Sequence, residues 1–474
     1  MSFFIYDIIF LIIFLVLVST FLYKRKDNLK REGLLYLYKT TWGIKLINRI
    51  GKKYKKTINL LSYFSILSGF FLMVGMIYLT YVLVKVYFFN PEIVRTIKIP
   101  PILPLVPYLP QVFKLEFLPP FYFTYWILII AIIAITHEMA HGIFAAYNKI
   151  KIKNTGFGFF PYFFPIFLAA FVEPEEKIMN KKSRFSQMAV LSAGTFANVI
   201  VAIFFFIILI IFSFIAFTPS GVIFDRYAEA SIPLSGISSI NNISLNNPSY
   251  DQILNFTHEV GFNELKYNGK SYLATKDILE KQKGSETISV YYSAPAIKNN
   301  LSSIITEING VKVKSISELI LELKKYSPGD EIEITTLSDN GPVKVKILLE
   351  ENPRNKGDAW LGIAFLNRQK SGFLSRIGEE ISPREPHVYY KPLFDGASVF
   401  FYNLIWWVII ISSSVALINM LPVGIFDGGR FFYLGIWSIT KNEKIAKRLF
   451  EFTTKFFLIL FLLIVIFWGI SFFR

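Results

Sequence analysis

The chain has 474 residues, 53% of them hydrophobic and only 18% charged, with a mean hydropathy of +0.46; this excludes an ordinary water-soluble globule and indicates a membrane protein. Cysteine is absent, which excludes disulfides, thiolate metal ligands and a cysteine nucleophile. The net charge of +16 invites a nucleic-acid reading, but the basic residues cluster beside apolar runs, so the expected partner is the lipid bilayer and not nucleic acid.

Apolar runs of about 20 residues match the thickness of a bilayer core. They predict six transmembrane helices, at Phe3 to Tyr23, Leu60 to Phe89, Phe121 to Tyr147, Gln187 to Phe217, Ala397 to Leu421 and Phe450 to Phe473. The first could be a signal peptide, but its apolar run is long, Asp7 lies near its start, and the basic cluster follows it, all of which favour a retained helix. Residues 1–89 thus read as a two-helix segment joined by a basic loop that holds Lys24-Arg25-Lys26, Lys30-Arg31 and Lys52-Lys53-Tyr54-Lys55-Lys56. The positive-inside rule places that loop in the cytoplasm, and the clusters at Lys149 to Lys153, Lys181 to Arg184 and Lys441 to Arg448 agree with the same orientation.

Residues 90–217 read as the first part of a membrane core. The stretch from Pro100 to Pro110 is too rich in proline for a helix interior. The aromatic stretch from Gly156 to Pro174 reads as a short re-entrant segment that could line a cavity and offer an edge to an unwound chain. Between residues 218 and 391 the membrane pattern gives way to β-type alternation punctuated by Gly, Pro, Asn and Ser, predicting an extracytoplasmic α/β domain. Its clearest part runs through a strand and turn at Ile304 to Val313, a helix at Ile316 to Lys325, a Pro-Gly turn, and strands at Asp330 to Thr336, Val343 to Leu349 and Trp360 to Ile363. This order resembles a PDZ domain, a fold that binds extended peptides at a sheet edge. Upstream, Ser239-Ile240-Asn241-Asn242 echoes Glu307-Ile308-Asn309-Gly310, which leaves two possibilities: a degenerate first copy, or one fold with a long insertion. Residues 392–474 hold the second part of the membrane core and the last helix.

The chemistry concentrates in His137-Glu138-Met139-Ala140-His141, inside an apolar helix. Helical positions i and i+4 share a face, so both imidazoles can hold one metal while Glu138 reaches a water beside it. Ionisable residues within a membrane helix mark functional sites more often than packing. Catalytic zinc commonly has three protein ligands and an open position. Asp427, in Pro422-Val-Gly-Ile-Phe-Asp427-Gly428-Gly429-Arg430, falls at a similar depth to the histidines; the other reading of it is a helix N-cap. The donor set His137, His141 and Asp427 favours Zn2+, with Glu138 as general base for peptide-bond hydrolysis. Asn198, polar among Phe, Val and Ile, could bind the substrate backbone or an oxyanion, or hydrogen-bond a neighbouring helix.

Together these elements resemble the site-2 family of intramembrane metalloproteases. The resemblance rests on His137-Glu138-x-x-His141-Gly142, the stretch Gly194 to Asn198, the PDZ-like domain, and Asn419, Pro422 and Asp427-Gly428-Gly429, in that order. It implies a polytopic α-helical membrane protein of the cell membrane, with its active site near the cytoplasmic face and its PDZ-like domain outside. It further implies a zinc site at His137, His141 and Asp427, Glu138 as base, substrate contacts from Asn198 and Asn419, and transmembrane proteins or peptides as substrates. Phe426 stands before Asp427 where the family more often has leucine, an apolar-for-apolar change. The alternatives are a metal transporter, a scaffold that keeps a protease body, and a membrane zinc protease whose third ligand is a glutamate.

Overall fold

The computed structural model describes residues 3–25, 29–32, 35–90, 94, 100–101, 104–115, 118–159, 168–338, 340–366 and 383–471. It comprises two compact units: residues 1–209 with 400–474, and residues 210–399.

Six helices are long and apolar enough to cross a membrane. They are α1 (Phe3–Lys24), α3 (Lys55–Phe89), α4 (Phe123–Tyr147), α5 (Arg184–Ala216), α6 (Asp395–Asn419) and α8 (Glu443–Ser471); the shorter α2 (Ile44–Lys53) and α7 (Asp427–Thr440) fall between them. Each of the six predicted runs therefore falls on a helix, with Phe217 in a strand instead and Phe472 and Phe473 outside the described residues. Helices α3, α5 and α8 begin earlier than their apolar runs, because Lys, Arg and Glu propagate a helix well and neither Pro nor Gly stops it there.

Helix α1 turns the soluble pattern inside out. Ile12, Val16 and Leu17 are exposed, whereas Asp7 is buried. A carboxylate left bare in hydrocarbon is expensive, so its partners matter. Asp7 Oδ2 accepts from the Phe123 backbone N–H at 2.8 Å and the Tyr108 hydroxyl at 2.5 Å; Oδ1 accepts from the Thr124 N–H at 2.9 Å and its hydroxyl at 2.5 Å. The first N–H groups of any helix lack intrahelical acceptors. Tyr122, at the N-cap of α4, supplies no side-chain cap. Asp7 thus caps α4 from a neighbouring helix. Just inside that end, Phe123, Tyr125 and Trp126 pack in one cluster with Trp407, Val408 and Ile411 of α6, which fixes the upper half of α4.

A four-stranded antiparallel sheet, β1 (Leu29–Glu32), β2 (Leu35–Thr40), β3 (Ile152–Phe159) and β4 (Leu168–Pro174), runs in that order. The basic loop after α1 carries β1, β2 and α2, and the segment read as re-entrant contributes the paired strands β3 and β4, with β4 at the edge of the sheet among the described residues; residues 160–167 lie outside the described ones. Glycine hid the alternation in Gly156-Phe-Gly158. At Gly156 a Cβ would run into the Tyr38 carbonyl of β2, so only glycine lets the two strands approach. At the end of the proline-rich segment, Leu109 and Pro110 begin a single helical turn, Leu109–Val112; residues 102 and 103 lie outside the described ones.

The second unit holds two six-stranded sheets. One carries β5 (Phe217–Ile223); after β6 (Arg226–Tyr227), the chain builds the other from β7 (Glu229–Pro233), β8 (Ile237–Ile240), β9 (Ile243–Ser244), β10 (Asn263–Tyr267), β11 (Lys270–Ala274) and β12 (Thr287–Tyr292). The chain then returns to the first sheet through β13 (Ile304–Ile308), β14 (Val311–Lys312), β15 (Glu331–Ser338) and β16 (Gly341–Leu348), and Val388–Pro392 completes it. Each sheet covers its own apolar core, one around Ile240, Leu265 and Ile288, the other around Ile308, Ile334 and Ile347.

The same plan occurs twice. A hairpin turns at Asn241-Asn242 in one case and Asn309-Gly310 in the other, all four residues having positive φ. A helix capped by a serine follows, Ser249 before Tyr250–Asn255 and Ser315 before Ile316–Leu323. The turn asparagine then closes on the next strand with both its backbone and its side chain. Asn241 donates its N–H to the Glu264 carbonyl at 2.9 Å and accepts from the Glu264 N–H at 3.1 Å; Asn309 does the same with Glu333, both at 2.8 Å. The segment Leu245 to Tyr291 thus supplies the helix of the first of these two arrangements and the strands that follow it.

The substitution Asp7→Ala is expected to destabilise the membrane unit by about 2 kcal/mol or more, because it strips the α4 N-terminus of its acceptor. Asp7→Asn should cost less. Thermal unfolding in detergent checks this, and an Ala variant that melts with wild type would show that α1 does not cap α4.

Candidate metal centre

Helix α4 sets His137 and His141 one turn apart. Their Nε2 atoms are 3.1 Å apart and their ring planes are inclined at 75°. Helix α6 ends at Asn419, and the non-helical link through Pro422 and Gly424 reaches α7, whose first residue is Asp427. Asp427 Oδ2 lies 3.2 Å from His141 Nε2 and 3.6 Å from His137 Nε2. The N-cap of α7 is Phe426, and the Asp427 carboxylate faces the imidazoles, so the reading of Asp427 as a cap is replaced. Among the described residues, these separations place an aspartate carboxylate within reach of the same ion as the two imidazoles.

Two glycines govern how Asp427 arrives. A Cβ on Gly428 would meet the Met420 carbonyl oxygen at 2.5 Å, and one on Gly429 would lie 2.6 Å from the Val423 carbonyl carbon. Only bare backbone lets the first turn of α7 lie against the link that precedes it. Gly194 of α5 serves the histidines likewise: a Cβ there would come within 2.6 Å of His137 Nε2 and closer still to His141 Nε2.

The donor set fits a zinc ion. Ligand atoms about 2.0–2.1 Å from a tetrahedral zinc lie about 3.3 Å from one another, and the three separations here bracket that value. Proton placement agrees for His141. Its Nδ1 is 2.7 Å from the Val190 carbonyl, which can only accept, so Nδ1 carries the proton and Nε2 presents a lone pair. His137 Nδ1 meets the Asn198 side-chain amide at 3.0 Å.

Glu138, His137, His141 and Asp427 line one cavity of about 720 Å3, with β4 along its side and Arg430 and Lys177 also in its lining. Glu138 Oε2 accepts from the Val172 N–H of β4 at 2.9 Å, which ties the carboxylate to the sheet. β4 is the terminal strand of that sheet among the described residues. Beside it, the Asn154 amide at 2.9 Å and the Lys39 ammonium at 3.3 Å hold the Glu173 carboxyl below its usual range. An apolar cavity of about 310 Å3 also touches Glu138, between α2 and β4.

The sequence pattern of peptidase family M50 matches residues 125–366 and 386–464, a region that spans both parts of this site and the unit between them. The chain belongs to peptidase family M50, the site-2 protease family. An uncharacterized protein of Methanocaldococcus jannaschii is similar to it, 25% identical over 428 residues that cover 88% of this chain and 83% of the relative. M50 peptidases are intramembrane zinc metalloproteases, and His137, His141 and Asp427 are the residues here that could hold the metal.

The structure therefore brings His137, His141 and Asp427 together and sets Glu138 on the same cavity. Asn198 lies behind His137 and is fully buried. Asn419 is half-buried at the end of α6 and is not among the residues lining that cavity. Sequence reading missed the Val190 carbonyl and the Val172 N–H, because backbone groups carry no residue-type signal. It also missed the spacing role of Gly194, although that glycine lay in a stretch singled out for other reasons.

Gly194→Ala is expected to weaken zinc binding by about tenfold or more, since relieving the overlap with the imidazoles costs about 1–3 kcal/mol. Competition with a chromophoric chelator measures this, and unchanged affinity would contradict so close an approach of α5.

Proposed function

We propose that this chain is an intramembrane zinc endopeptidase that cuts peptide bonds within the transmembrane segments of membrane-tethered substrates. The observation that carries the reading is the meeting of His137, His141 and Asp427 donor atoms on a cavity that Glu138 also lines. Zinc, when bound, supplies a Lewis acid for the scissile carbonyl and makes an adjacent water acidic enough to ionise near neutral pH. Glu138 takes the proton from that water and returns it to the leaving amine. Its hydrogen bond from Val172 orients the carboxylate from the β4 side.

The outer strand of the sheet supports a way of presenting the substrate. A helix buries its own carbonyls in hydrogen bonds, so a transmembrane segment must unwind before it can be cut. An unwound segment laid along β4 would exchange helical hydrogen bonds for strand pairing beside Glu138. The charge pattern supports an active site near the cytoplasmic face, with the second unit outside as a PDZ-like filter on substrate access. The scarcity of other intramembrane carboxylates and histidines speaks against a transport path, which needs successive sites.

Purified protein in detergent or vesicles, given a model transmembrane substrate, should cleave it and lose activity on chelation. Glu138→Gln should lower the rate by about 10²–10⁴-fold while leaving zinc bound. Cleavage that persists at the wild-type rate in the Gln variant would refute the mechanism. Removing residues 226–390 should change the choice among substrates more than the rate on a short, pre-trimmed helix. Equal losses on every substrate would refute the filtering role.

A further inference from the structure

Asn198 is polar, fully buried on α5 and one turn beyond Gly194, and its surroundings define what it can do. Its side-chain nitrogen lies 3.0 Å from His137 Nδ1, and its Oδ1 is buried with no hydrogen-bond partner among the described residues. An asparagine amide can make a half-turn that exchanges oxygen and nitrogen with little change of shape. The two orientations differ in where they leave the imidazole proton. With the nitrogen facing Nδ1, that ring atom must accept, the proton sits on Nε2, and Nε2 has no lone pair for a metal. With the oxygen facing Nδ1, the orphaned Oδ1 gains a donor, Nδ1 keeps the proton, and Nε2 presents its lone pair toward His141 and Asp427.

We propose that Asn198 is the positioning residue of the metal centre: its Oδ1 accepts the Nδ1 proton of His137 and fixes that imidazole in the tautomer and plane needed for metal binding. This rests on the metal reading given above; of the two roles left open by the sequence, it takes the hydrogen bond to a neighbouring helix and not the contact to the substrate. Complete burial behind His137 keeps Asn198 from the cavity in which a substrate would lie. With Oδ1 facing the ring the two histidines match: the Val190 carbonyl holds the outer nitrogen of His141, and the Asn198 carbonyl, once exchanged with the nitrogen now 3.0 Å from His137 Nδ1, holds that of His137. One is a backbone group set by the helix. The other depends on a single side chain.

The test uses the full-length protein in detergent, with zinc affinity measured by chelator competition and the ligand field read from the Co2+ spectrum. Asn198→Leu keeps the side-chain shape and removes the acceptor; it should bind zinc about 10- to 100-fold more weakly. Asn198→Asp offers only acceptors to the ring; it should bind zinc at least as tightly as wild type and keep the Co2+ spectrum. An Asp variant as weak as the Leu variant overturns the proposal, because the required group would then be the nitrogen. Wild-type affinity in the Leu variant, with a raised KM for cleavage, also overturns it and restores the substrate role. If the Leu variant does not fold, the direction of the Asp effect still decides. Failure of wild type to bind zinc would sink the metal centre itself, an outcome distinct from any difference among the variants.

Discussion

A metal site inside a membrane must gather polar ligands where apolar surroundings penalise each of them, and this constraint organises the first unit. His137, His141 and Asp427 come from segments almost three hundred residues apart, yet their donor atoms approach within 3.1–3.6 Å. That convergence needs close helix packing. Gly194 lets α5 reach the two imidazoles, and Gly428 and Gly429 let α7 begin against its own preceding link. In each case the missing side chain is the structural contribution.

The polar groups around the centre are tied into the scaffold. Val190 orients His141 from α5, Val172 orients Glu138 from β4, and Asp7 fixes the far end of the helix that carries both histidines and the glutamate. Helix α4 is thereby held at its start by a carboxylate and near its end by a sheet and a helix. Such multiple restraint is what preorganised catalysis requires, since small displacements of reacting groups are costly in rate. The sheet adds a second property. Its β4 strand pairs with β3 on one side and lies along the cavity on the other, a geometry that a purely helical bundle would lack.

What the sequence revealed follows from the physics of each signal. Long apolar runs report their length directly, so the six spans were legible. The His137 to His141 spacing reports a helical face, and the Pro422 to Gly429 run reports a break that presents an acid. Strands β1 to β4 were not legible, because Gly156 and Gly158 erase the alternation and the Lys-rich segment after α1 reads as a charged loop. The single letter Asn198 announced a buried polar group but not its partner. Side-chain partners across helices depend on packing, which no local pattern encodes. The repeated plan in the second unit was half legible: its Asn turns resemble one another in sequence, whereas the helix and strands after Ser249 differ in composition from those after Ser315 while keeping the same order.

Asp7 also bears on biosynthesis. As the polypeptide leaves the ribosome, α1 enters the lipid long before Phe123 and Thr124 are made, so its carboxylate waits without the donors that will satisfy it. The nascent chain therefore carries an internal incentive to recruit α4 as soon as that helix emerges.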